Sequence, residues 1–297
     1  MGGRWRDRAV LLVSALLAVL LLGPALGPGY ALLGDLVFVP DQDLLPWMAG
    51  LGGALPRAVP QDTVVALLTG PVPGWVWQST ALLAALLLLG TGTGRLVRPA
   101  GRRAALVASV VAVWSPYVGE RLLLGHWSLL LAVGALPWAL HHARSARDGV
   151  PGAVSRWLLV VALASLTVTG GLLVLVVSVP VLLWRGGAHG ERRVLALLGG
   201  VLLQLPWLVP ALLHPSAPVG GADVFALRAE GPWGALVTAL GTGGVWNAVA
   251  VPGTRATLLA PLLTAGLLVL AWLGRSSVAR ALGRPVALRL MVASVAG

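Results

Sequence analysis

Cysteine is absent from this 297-residue chain, which excludes disulfides, thiolate metal sites and cysteine nucleophiles together. Lysine is absent as well, so all 21 basic residues are arginine. Acidic residues number only ten and histidines five, leaving a short inventory for acid–base or metal chemistry. What fills the chain is hydrocarbon: 58% of residues are hydrophobic, 10% are charged and the mean hydropathy is +0.90. Soluble globular domains carry about 25% charged residues, and several apolar runs here approach the roughly 20 residues that cross a bilayer. The composition predicts an all-α polytopic membrane protein. The net charge of +11 does not indicate nucleic acid as a partner, because the arginines fall in short clusters between apolar runs and not on one basic face.

Arg4, Arg6 and Arg8 precede an apolar run at residues 9–27. A signal peptide and a first spanning helix both fit; the run exceeds the roughly 7–15 residues of a signal h-region, and Pro28 follows the small pair Ala25 and Gly27, which favours the helix. Basic residues before the run place the N-terminus in the cytoplasm and residues 28–74 outside. In that first outer loop, 44–55 and 63–68 read as interfacial helices, with Trp47, Trp75 and Trp77 at headgroup depth and Asp62 as the N-cap of the second.

Further spans are expected at about 76–89, 104–114, 122–140, 194–213 and 256–273, with a second outer loop over 214–255. The stretch 156–185 would extend about 45 Å as one helix, too long for a straight span. A pair of short helices turning at Gly170 and Gly171 is preferred over one long tilted helix. The expectation is a single module over 1–297 with about eight transmembrane helices. The apolar residues of 286–297 read as the start of a further span of a longer protein, or as an interfacial helix. Seventeen of the 21 arginines then fall in cytoplasmic segments, leaving Arg57, Arg121, Arg228 and Arg255 outside, as in a multi-pass plasma-membrane protein. The acids reverse this: Asp35, Asp41, Asp43, Asp62, Glu120, Asp223 and Glu230 are all placed outside.

Three of those carboxylates, Asp35, Asp41 and Asp43, crowd into residues 34–43, where the first run emerges into water. An ionised carboxylate at a membrane surface suits proton removal from an attacking sugar hydroxyl while the glycosidic centre gains oxocarbenium character. A lipid-phosphate leaving group needs positive charge nearby, for which Arg121, Arg228 and then Arg57 are placed by topology. Glu120 and Arg121 are adjacent and point apart on a helix, so each needs its own partner. His126, further down the same segment, reads as a neutral, hydrogen-bonded side chain.

Gly34-Asp35-Leu36-Val37-Phe38, the pair Asp41-x-Asp43, Pro116-Tyr117-x-x-Glu120-Arg121 before Gly125-His126-Trp127, and Gly243-Gly244-x-Trp246-Asn247 follow one another in a layout of many short spans. The chain thereby resembles the GT-C superfamily of integral-membrane glycosyltransferases, notably actinobacterial arabinosyl- and mannosyltransferases of cell-wall biosynthesis. That resemblance implies transfer of a sugar from a polyprenyl-phosphate donor to a glycan or lipid acceptor on the extracytoplasmic face. It implies Asp35 as catalytic base, with Asp41 or Asp43 second; by chemistry and position Glu120, Arg121, Arg228, His126, Trp246 and Asn247 are the expected substrate-binding residues. Asp41 and Asp43 also offer oxygen ligands for Mg or Mn. Each residue keeps a plainer alternative: Asp35 ending the first span, Asp41 and Asp43 turning around Pro40, Arg121 snorkelling, and Trp246 and Asn247 as an interfacial Trp beside a turn Asn. Two other functions compete, a non-catalytic scaffold of a cell-envelope complex and a transporter or lipid flippase. Against the transporter, the predicted span interiors hold essentially no ionisable residues.

Overall fold

The computed structural model describes residues 2–51, 58–184, 190–214 and 222–282, and every regular element among them is helical. The helices are α1 (Gly2–Leu22), α2 (Gln61–Thr69), α3 (Gly74–Val97), α4 (Arg102–Val113), α5 (Pro116–Leu123) and α6 (Trp127–Arg147). They continue with α7 (Ala153–Ala164), α8 (Val168–Leu183), α9 (Gly190–Leu202), α10 (Leu205–Leu213), α11 (Gly234–Leu240) and α12 (Leu259–Leu282). Among the described residues three helical stretches are long and apolar enough to cross a membrane, Gly74–Ala100, Arg102–Leu123 and Leu259–Ser276. A fourth joins them if α9 and α10, bent by 50°, form one broken span. The all-α character expected from composition is present among the described residues, but fewer helices are long and apolar enough to span than the eight expected. At 1.5 Å per residue, α7 and α8, with 12 and 16 residues, fall short of the roughly 30 Å hydrocarbon core.

Several boundaries differ from expectation for local reasons. The stretch at 156–185 does break into two helices, but at Ser165-Leu166-Thr167; Thr167 caps α8 by accepting the Gly170 N–H at 2.9 Å. Gly170 and Gly171 lie inside the first turn of α8. A side chain on Gly170 would press on Ala132 and the Ala164 carbonyl, both at 2.5 Å, so the glycines permit close packing and make no turn. The expected fourth span starts at Trp127 rather than at 122, because Leu124, Gly125 and His126 break the chain. The helix expected at 44–55 is reduced to one short 3-10 turn, Pro46–Ala49, with residues 52–57, and so Arg57, outside the described part. The terminal stretch at 286–297 also lies outside it.

The helix α6 is the centre of the bundle and packs against α3, α7 and α8. Helices in lipid approach through small residues, since hydrocarbon gives no net hydrophobic drive between them. Gly134 of α6 accordingly sits on α3, where an added Cβ would lie 2.5 Å from the Ala85 carbonyl. Trp157, fully buried on α7, donates its indole N–H to Ser178 of α8 at 3.0 Å. α3 and α6 end together, as shown by Arg95 donating to His141 at 3.2 Å. The bundle therefore has two unlike ends, one rich in arginine and one where the loops gather.

Candidate functional site

At the loop-rich end, four segments close around a cavity of about 910 Å³: the turn at 34–39, the start of α2, the α5–α6 junction and the α7–α8 junction. The first is a tight turn in which the Leu36 N–H donates to the Leu33 carbonyl at 3.0 Å. Gly34 holds its first corner at φ +57°, a conformation that costs an L-residue about 1–2 kcal/mol. Beyond the turn the chain is extended and alternates. Leu36 and Phe38 are buried, Phe38 against Trp127 at 5.1 Å between ring centroids, while Val37 and Val39 face outward. That period of two is what an extended segment produces over an apolar core.

The apex of the turn is Asp35. Its N–H donates to the Leu124 carbonyl at 2.8 Å, which ties the first outer loop to the end of α5. Its carboxylate Oδ2 accepts from Nε2 of His126 at 3.1 Å, the carboxylate being 79% exposed and the imidazole 23%. Burial, and then the charge of Arg121, hold His126 below its ordinary imidazole pKa, with the Asp35 carboxylate pulling the other way. The neutral, hydrogen-bonded His expected from sequence is the form this geometry favours. Arg121 is close enough to act on that imidazole; its guanidinium stacks over the Tyr117 ring at 5.2 Å and its Nε is buried without a partner.

The linkage has a definite sign. A folded pKa below the unfolded value of about 6.5 makes the His126 contribution complete above pH 6.5 and lost as pH falls through the folded value. Stability in detergent is thus expected to decline on acidification below pH 6.5, and His126→Gln to flatten that decline. An unchanged slope in the variant would exclude His126 as its source.

The opposite wall is polar at the start of α2. Ser128 on α6 donates to the Gln61 side chain, and Thr63 donates to the Met48 carbonyl at 2.8 Å. Asp62 was expected to cap this helix, but the cap position is Pro60 and Asp62 sits one residue inside the first turn. There it is half-buried against the cavity, with its pKa raised by burial and partly lowered by the Gln61 side chain. Gln61, Ser128, Thr167 and Thr169 also line the cavity, and neither they nor Asp62 are expected from sequence as site residues. Their polarity at the mouths of apolar helices was the available signal.

Of the residues expected at the site, the fold brings Asp35 and His126 together in the cavity wall, with Arg121 near them. Asp41 and Asp43 are exposed and are not among its lining residues. Among the described residues no group of three or more His, Asp or Glu is placed to hold a metal. Arg228 is exposed in the second outer loop, its N–H donating to the Gly244 carbonyl at 3.3 Å. Asn247 caps a short turn by accepting the Val249 N–H at 3.0 Å, and Trp246 packs edge-to-face on Phe225 at 5.4 Å.

Glu120 has the least expected setting. It is 2% exposed and accepts the Val245 N–H at 3.1 Å, while the neighbouring Gly244 N–H goes to Glu230 at 2.6 Å. Glu230, 3% exposed, is paired with Arg255 at 2.5 Å, and the guanidinium also donates to the Thr238 carbonyl at 3.4 Å. Glu120 and Arg121 therefore do have separate partners, and the partners of Glu120 belong to the second outer loop. No family model, curated protein or solved structure matches the chain, so any function must be argued from the site itself.

Proposed function

We propose that the protein is a plasma-membrane glycosyltransferase of GT-C type, moving a sugar from a polyprenyl-phosphate donor to a glycan or lipid acceptor on the extracytoplasmic face. The observation that carries this reading is Asp35, an accessible carboxylate fixed by His126 at the wall of a cavity of about 910 Å³. In this proposal Asp35 takes the proton from the acceptor hydroxyl as the glycosidic bond to the lipid phosphate breaks. The hydrogen bond from His126 fixes the carboxylate's direction, and Arg121 supplies positive charge for the departing phosphate. About eight spans, counting α1, α6 and the short pair α7 and α8, with a cytoplasmic N-terminus, put the loop-rich end outside.

Asp35→Asn removes the base while keeping its size, and turnover of a polyprenyl-phosphate sugar by the purified protein is expected to fall 10²–10⁴-fold. His126→Gln, which still donates a hydrogen bond, should cost much less. Full turnover by Asp35→Asn would sink the assignment, and absence of turnover in the unaltered protein would favour a scaffold role.

A further inference from the structure

At the arginine-rich end, α3, α6, α7 and α9 bring guanidiniums around the turn that joins α6 to α7. Arg95 lies over the Trp138 ring at 5.6 Å, and that ring is pinned by its N–H to the Leu88 carbonyl at 3.0 Å. Arg156 is fixed by the turn itself, donating to the carbonyls of Pro151 at 2.8 Å and Gly152 at 3.2 Å. Arg192 reaches across from α9 to the Gly149 carbonyl at 3.1 Å. The charges that act on His141 here are Arg95, Arg156 and Arg144, all positive. Asp148 beside them is held by Arg147 at 2.8 Å. Cations gathered at one turn and fixed by backbone contacts favour an anion beside them.

The surroundings say which kind. One turn beyond Arg156 on α7, Leu159 is 70% exposed; on α9, Leu195 and Leu198, one and two turns beyond Arg192, are 63% and 57% exposed. The two helices pack together, and each carries exposed hydrocarbon within two turns of its guanidinium. A free phosphate ion would use the cations and leave the leucines in water. A phospholipid would use both, with its phosphate at headgroup depth and its acyl chains along the leucines. We infer that the α7–α9 seam binds an anionic phospholipid, its headgroup held by Arg156 and Arg192. This is independent of the sugar-transfer reading and requires only that these helices lie in a bilayer.

The test uses the full chain in detergent, with lipid retention read by native mass spectrometry and stabilisation by thermal unfolding. Phosphatidylglycerol is expected to be retained and to raise the unfolding temperature, whereas phosphatidylcholine and inorganic phosphate do neither. Arg156→Gln with Arg192→Gln should weaken phosphatidylglycerol retention about thirtyfold. Arg102→Gln with Arg103→Gln, which removes the same charge from the start of α4, should change it little. Equal weakening by the two pairs would mean diffuse surface attraction and overturn the site, as would equal stabilisation by inorganic phosphate. If the first pair does not fold, Leu159→Gln with Leu195→Gln probes the seam from its apolar side, and unchanged retention there overturns the proposal.

Discussion

Arg255→Ala is expected to lower the unfolding free energy by about 3–5 kcal/mol, the range for removing one partner of a buried ion pair. The guanidinium is 4% exposed and Glu230 3% exposed, so water cannot replace it. The loss would not stop at one pair. Glu120 and Glu230 accept from the adjacent N–H groups of Val245 and Gly244, and Arg255 is the cation paired with Glu230. Its removal leaves the Glu230 carboxylate buried against the Glu120 carboxyl with no paired cation. Glu120 also belongs to α5, whose end carries the Leu124 carbonyl that holds Asp35, so damage is expected to reach the cavity. Thermal unfolding of Arg255→Ala, Glu230→Leu and the double variant measures the coupling. A double variant clearly more stable than Arg255→Ala marks an uncompensated charge as the cause, because replacing both ions by apolar groups is often close to neutral. A loss below about 1 kcal/mol in Arg255→Ala would contradict the buried setting.

The second large effect is expected at Gly125, where activity should suffer more than stability. Gly125 has φ +76°, and a Cβ there would run into the Leu33 carbonyl and the Leu36 N–H, the two ends of the turn that presents Asp35. Gly34 meets the Leu124 carbonyl from the other side, so two glycines let two backbone segments touch. Gly125→Ala adds left-handed strain and displaces the turn, at roughly 2–4 kcal/mol. A shift of about 1 Å at a catalytic group costs on the order of 10²-fold in rate, which is the expected loss of lipid-linked sugar turnover. Gly253→Ala, with open space around its Cβ and no left-handed φ, serves as the neutral control. Equal turnover in the two variants would show that the contact between turn and junction does not position Asp35.

Both effects concern contacts between segments far apart in the chain, which is where sequence reading stopped. The pattern around Asp35 was visible as an unusual density of acids, and topology separated Asp35 from Asp41 and Asp43. His126 was noticed, and its neutral, hydrogen-bonded state was expected, but its partner was not. Glu120 beside Arg121 reads locally as a site residue, because nothing local shows that Glu230 and Val245, more than a hundred residues later, meet it. Gly170 and Gly171 looked like a turn because glycine commonly makes turns. In a membrane bundle glycine also lets helices approach, and only the neighbouring helix decides between the two uses.

The sequence by itself determined the class of the protein. Long hydrophobic runs with few charges call for helices, because backbone groups in an apolar setting must be satisfied within their own segment. The positions of the longer helices follow from that local requirement to within a few residues, whereas the short elements of the outer loops do not. The tertiary structure alone decided which polar residues share a site and which are buried as anchors. Asp35 meets His126 because two glycines let the Leu33–Leu36 turn dock on the α5–α6 junction, and Glu120 is buried because Glu230 and Val245 of the second outer loop meet it. A carboxylate's role depends on what surrounds it, and those surroundings come from elsewhere in the chain.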